Sequence, residues 1–97
     1  MYGTIARMRV KPGMAERMMA LMEEYEDLGV PGYRGTYVYR MDGDSNEHYL
    51  VVLFDSKADY VANAQSPEQN ERYLEYVELL DGEPEWHDGE VVYALTP

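Results

Sequence analysis

The sequence has no cysteine, one phenylalanine and one tryptophan, and only eight lysines and arginines against nineteen aspartates and glutamates in its 97 residues. Each shortage closes a route. Without cysteine there are no disulfides, no thiolate metal sites and no cysteine nucleophile. A formal charge of −11 makes nucleic acid and anionic membrane surfaces poor partners, because both are polyanions. No apolar run approaches the ~20 residues that a membrane-spanning helix needs. The opening MYGTIARMRV carries arginines inside its apolar pattern, so it is not expected to act as a secretory leader. These features lead to the expectation of an acidic cytoplasmic protein.

What is present is ordinary in amount and unusual in kind. Hydrophobic residues make up 45% of the chain, as in globular proteins, and the length suits one domain over residues 1–97. Ten tyrosines stand beside the single phenylalanine. Tyrosine fills cores and interfaces with an apolar ring and a polar tip, and it also lines pockets for planar ligands.

The segment from His48 to Pro67 (HYLVVLFDSKADYVANAQSP) organises the rest. Its strand, His48 to Phe54, is apolar on both faces, with Leu50, Val52 and Phe54 on one and Tyr49, Val51 and Leu53 on the other. Successive strand side chains point to opposite sides, so both faces need cover. Ser56 is placed to cap a helix over Lys57 to Ala64. Ser66-Pro67-Glu68-Gln69 opens another, reaching about Leu80, with a cap serine, a first-turn proline and a third-position glutamine.

Upstream, Tyr2 to Val10 alternates as a strand and stops at Lys11-Pro12-Gly13. Met14, Met18, Leu21, Met22, Tyr25 and Leu28 recur at steps of three and four, which predicts a helix over Met14 to Leu28. A second strand spans Tyr33 to Met41, with Tyr33, Gly35, Tyr37 and Tyr39 on one face, and a polar turn joins it to the third as a hairpin. Trp86 to Leu95 forms the last strand, with a bend or bulge expected at Asp88-Gly89.

The order β-α-β-β-α-β predicts an α+β, ferredoxin-like fold with a four-stranded antiparallel sheet and helices on one face. Ile5 and the tyrosines of the second strand then lie on the uncovered face, an apolar area too large to leave wet. Burying ~700 Å² of it per subunit would be worth on the order of 15 kcal/mol before the costs of association. A homodimer through the sheet face follows, with Arg7 and Arg9 expected to meet acids across it.

With VKPG closing strand one, PGY opening strand two and FDSKADYVANAQSP following strand three, the chain resembles the antibiotic biosynthesis monooxygenase family from Tyr2 to about Leu95. The resemblance implies a dimeric α/β barrel with a cavity between each sheet and its own helices. It also implies oxidation of phenols, quinols or anthrones by dioxygen, often without metal or flavin. Anthrone-oxidising members carry a tyrosine four residues past the serine that opens the helix after strand three, and Tyr60 stands there. Where those members place a tryptophan and an asparagine, this chain has Phe54 and Leu50. At the positions that haem-degrading members use, it has Ala6, Asn63 and Arg72, with no histidine ligand, so haem degradation is not expected.

Tyr60 is the candidate catalytic residue, a phenol placed to hydrogen-bond a substrate oxygen. Asn63 lies nearly one turn on, so both can line one pocket. Leu50 and Phe54 complete the expected substrate wall. His48, on the same strand face near the hairpin, is a candidate base at the pocket mouth. Trp86 reads as an interface or core anchor, and no metal site is expected around His87. The working expectation is a monooxygenase that needs no cofactor and takes a small aromatic ligand. The alternatives are a non-catalytic protein holding a small apolar ligand in the same cavity, or an assembly subunit with a filled core.

Overall fold

A computed structural model describes residues 1–97 apart from the side chain of Glu26. The elements run β1 (Tyr2–Arg9), α1 (Ala15–Glu26), β2 (Tyr33–Arg40), β3 (Glu47–Phe54), α2 (Lys57–Ala64), α3 (Pro67–Glu78) and β4 (Glu85–Glu90). The strands form one antiparallel sheet in the order β2-β3-β1-β4. This is the expected α+β, ferredoxin-like fold, with its second helical unit split into α2 and α3.

Alternation along the strands sets the layers. On β1 and just past it, Thr4, Ala6, Met8 and Val10 are buried, while Ile5, Arg7 and Arg9 are exposed. The register places Phe54 opposite Tyr2, Leu50 opposite Ala6 and His48 opposite Met8, so the buried residues of both strands share one face. Met18 of α1 is fully buried and belongs to a core of Ala6, Met8, Val10, Leu50, Leu79 and Leu80. Of the predicted α1 stripe, Met14 and Leu28 are instead exposed, because they fall outside the helix at its two ends.

Serines fix the two later helices. Ser56 Oγ accepts from the Asp59 amide at 3.1 Å, and Ser66 Oγ accepts from the Gln69 amide at 3.1 Å. Each satisfies one of the donors a helix start leaves free. The Gln69 side chain does not complete a capping box. Its Oε1 accepts from Arg72 at 2.9 and 3.2 Å. Past α3 the chain returns beside β1, where Val10 bridges Leu80 and Lys11 N donates to Leu79 O at 2.9 Å.

Two sequence expectations change. The irregularity lies in β2 rather than β4: the register of β2 shifts between Tyr33 and Gly35, whereas Glu85 to Glu90 pairs with β1 without interruption. Gly35 has φ +154°, a conformation that suits glycine. The extra residue turns Tyr33 to the helix side, where its ring meets Tyr25 and Phe54 at 4.8 and 5.8 Å. The last strand also stops at Glu90, and Val92, Tyr93 and Leu95 beyond it are exposed.

On the uncovered face Ile5, Tyr37 and Tyr39 are 54%, 62% and 56% exposed. The arginines there find acids within their own chain, a correction to the expected intersubunit pairs. Arg7 bonds Glu47 and reaches Glu85 at 3.9 Å, and Arg9 meets Asp44 at 2.8 Å. No described helix is long and apolar enough to cross a membrane.

Removing the Met18 side chain would leave a cavity where α1 meets the sheet. Met18→Ala should therefore cost roughly 2–5 kcal/mol, read from the urea midpoint, whereas exposed Ala20→Ser should change it by less than about 0.5 kcal/mol.

Candidate functional site

The helix face of the sheet packs at two ends. The methionine–leucine core fills one. A chain of edge-to-face aromatic rings fills the other, running Tyr25–Tyr33–Phe54–Tyr60–Tyr2 with centroids 4.8, 5.8, 5.7 and 5.4 Å apart. Between them lies a cavity of about 410 Å³, within the roughly 300–1,000 Å³ of small-molecule pockets. Members of both clusters line it: Met8, Leu50 and Leu80 from one, Tyr25, Phe54 and Tyr60 from the other.

Four of the sequence-predicted residues meet here, since Leu50, Phe54, Tyr60 and Asn63 all line the cavity. His48 is not among its lining residues. It is fully buried, its Nδ1 lies 3.2 Å from Asn46 O, and its Nε2 has no protein partner. A donating Nδ1–H leaves Nε2 as a bare acceptor.

Other wall residues were not anticipated. Trp86 and Asp88 lie opposite Ala6 and Thr4 in the β1–β4 register and therefore face the helices. Trp86 packs at 6.2 Å from Tyr73, also on the wall. Thr4, Tyr25 and Tyr76 line the cavity too. The alternation of β1 was enough to find Thr4. Trp86 and Asp88 needed the parity of β4, which the expected bulge at Asp88-Gly89 concealed.

The Tyr60 hydroxyl donates to Asp88 Oδ1 at 2.8 Å. Thr4 Oγ1 is buried without a protein hydrogen-bond partner. Burial first, and then the bond to Asp88, push the Tyr60 pKa up to about 12, against a smaller downward pull from Thr4. Thr4 is thus close enough to influence Tyr60 without bonding it in acceptable geometry. Burial likewise raises Tyr25 and Tyr76 above the ordinary phenol value. Tyr25, Tyr60 and Tyr76 are therefore neutral hydroxyls near neutral pH. Asp88 is the only charged residue among the described residues that line the cavity.

A tyrosine whose folded pKa is raised stabilises the fold fully below its unfolded pKa, and that contribution is lost as pH rises towards the folded value. The urea midpoint should fall between pH 10 and about 12, and fall less steeply in Tyr60→Phe. Equal slopes would contradict the half-buried, Asp88-bonded phenol.

The family model for antibiotic biosynthesis monooxygenases matches residues 1–82. No curated protein shows significant similarity to the sequence. Several solved structures share the fold. A variant of SnoaB, a cofactor-independent oxygenase from Streptomyces nogalater, superposes with a TM-score of 0.82 at 12% identity, covering 99% of this chain and 97% of its own. A conserved protein from Methanosarcina mazei gives 0.77 at 20% identity, covering 91% and 89%. Rv0793 from Mycobacterium tuberculosis gives 0.76 at 18% identity, covering 98% of each chain. At such identities the likeness speaks for the fold, whereas the sequence model spans most of the chain, which thus belongs to the antibiotic biosynthesis monooxygenase family.

Proposed function

We propose that this chain is a cofactor-independent monooxygenase of the cytoplasm, acting on an aromatic phenol, quinol or anthrone held between sheet and helices. The observation that carries this reading is an aromatic cavity large enough for a fused-ring ligand, with neutral tyrosines in its wall. SnoaB, a cofactor-independent oxygenase of the same fold, supports it.

The chemistry asks little of the protein beyond position and polarity. An anthrone-type substrate gives up a proton through the Tyr60 hydroxyl to Asp88, and its anion passes an electron to dioxygen. Recombination at the ring carbon, with return of that proton, gives a hydroperoxide, and loss of water leaves a quinone. One oxygen atom ends in the product and the other in water, and the substrate supplies all four electrons. Tyr60, with its proton directed to Asp88, accepts a hydrogen bond from the substrate hydroxyl and so orients the ring. The Asn63 amide, on the same wall, donates to the oxyanion as charge develops. Leu50 and Phe54 hold the ring and keep water from the anion.

The second reading, a binding protein without turnover, draws on the same wall. Apolar and aromatic residues dominate it, and its lone carboxylate is already hydrogen-bonded.

In either case the active form is a homodimer through the uncovered sheet face. Exposed Ile5, Tyr37 and Tyr39, with Val92, Tyr93 and Leu95 of the C-terminal segment, support a second copy as its cover.

Oxygen uptake with a panel of quinols and anthrones separates the readings. The oxygenase reading predicts substrate-dependent uptake that falls roughly 100-fold or more in Tyr60→Phe, within the range for loss of a proton-handling group. Retention of an aromatic ligand with no uptake from any panel member would establish the binder instead.

A further inference from the structure

The cavity opens along one seam. Of the residues that line it, Ala64, Asn70, Trp86 and Asp88 are exposed, and the others are buried or half-buried. Ala64 ends α2, Asn70 lies in α3, and Trp86 and Asp88 belong to β4. The mouth therefore runs between the α2–α3 corner and the edge of the sheet. β4 is that edge, with a strand beside it on one side only.

Trp86 is out of character for such a strand. Edge strands are commonly blunted by charge, and the other residues of β4 are Glu85, His87, Asp88, Gly89 and Glu90. Trp86 is the one tryptophan of the chain and is 44% exposed. It belongs neither to the methionine–leucine core nor to the chain of rings from Tyr25 to Tyr2. Its indole turns to the cavity and meets Tyr73 of α3 at 6.2 Å and a tilt of 49°. A rigid apolar ring, accessible at the rim of a cavity, is a platform on which a flat ligand stacks.

Its distance from the polar end of the site is set by the strand. Asp88, which takes the Tyr60 hydrogen bond, stands two residues on, roughly 7 Å along an extended backbone. That is the scale of two fused six-membered rings.

We propose that Trp86 is a ligand-stacking residue at the cavity mouth, and that it selects fused flat ring systems over partly saturated ones of the same skeleton. With the ligand hydroxyl at Tyr60, the far ring of a two-ring phenol comes to lie on the indole. A puckered far ring cannot press a face against it. This rests on the cavity being the ligand site and on Tyr60 holding the ligand hydroxyl, as proposed above, but not on turnover.

Isothermal titration with 2-naphthol and 5,6,7,8-tetrahydro-2-naphthol tests it. Both offer the same phenol to Tyr60, and only the far ring differs, flat in one and puckered in the other. The puckered ring is the more apolar, so burial alone gives 2-naphthol no advantage. Wild type should bind 2-naphthol about fivefold more tightly, the scale of one aromatic contact. Trp86→Leu should bring the two ligands within about twofold, mainly by weakening 2-naphthol, whereas Trp86→Phe keeps a ring and should retain about a threefold preference. A packing role alone would weaken both ligands alike and leave their ratio unmoved. Equal binding of both ligands by wild type, a ratio unmoved by Trp86→Leu, or no rescue by Trp86→Phe overturns the stacking role and leaves the cavity reading intact. If neither ligand binds wild type, the stacking role and the cavity reading both fall. The expected ratios with no oxygen uptake sink the oxygenase alone and support the stacking role.

Discussion

The central constraint is a sheet that is apolar on both faces in a chain with helices enough for one. β3 sets it, since Leu50 and Phe54 are buried towards the helices while Tyr49, Val51 and Leu53 alternate to the other side. The single-layer helix cover is satisfied by α1, α2 and α3. The opposite face keeps Ile5, Tyr37 and Tyr39 exposed among in-chain ion pairs. Apolar area of that kind, rimmed by charge, marks an interaction surface.

The same constraint explains the hollow. Two clusters anchor the helices to the sheet. Met18 locks α1 into the core near Val10 and Leu80, and the Tyr33–Phe54–Tyr60 ring chain ties β2, β3 and α2 at the other end. Protein interiors are close-packed, so a gap of about 410 Å³ between two well-packed clusters is a feature that the side chains build. Several of its wall residues are tyrosines whose rings also serve the packing. That double role accounts for a composition in which tyrosine so outnumbers phenylalanine.

Much of this was legible in the residues. The period-two pattern of Thr4, Ala6, Met8 and Val10, the caps at Ser56 and Ser66, and the wall of Leu50, Phe54, Tyr60 and Asn63 all appear in the structure. The rest depended on register. One extra residue in β2 moved Tyr33 across the sheet, because side-chain direction alternates and a single insertion reverses it. An uninterrupted β4 put Trp86 and Asp88 on the cavity wall, where a bulge would have turned part of the strand away. His48 has the right strand parity for the cavity but lies at the hairpin end, beyond it. Arg7 and Arg9 looked like groups awaiting a partner's acids, because Glu47, Glu85 and Asp44 come alongside only once the hairpin and β4 are in place.

If the uncovered face is the constraint, its cover is the point at which the account is most exposed. Sedimentation velocity at micromolar concentration measures this directly. A species of two chains is expected, and Ile5→Glu combined with Tyr37→Glu should dissociate it to one chain without loss of helix signal. Wild type sedimenting as a single folded chain at that concentration would contradict the paired sheet.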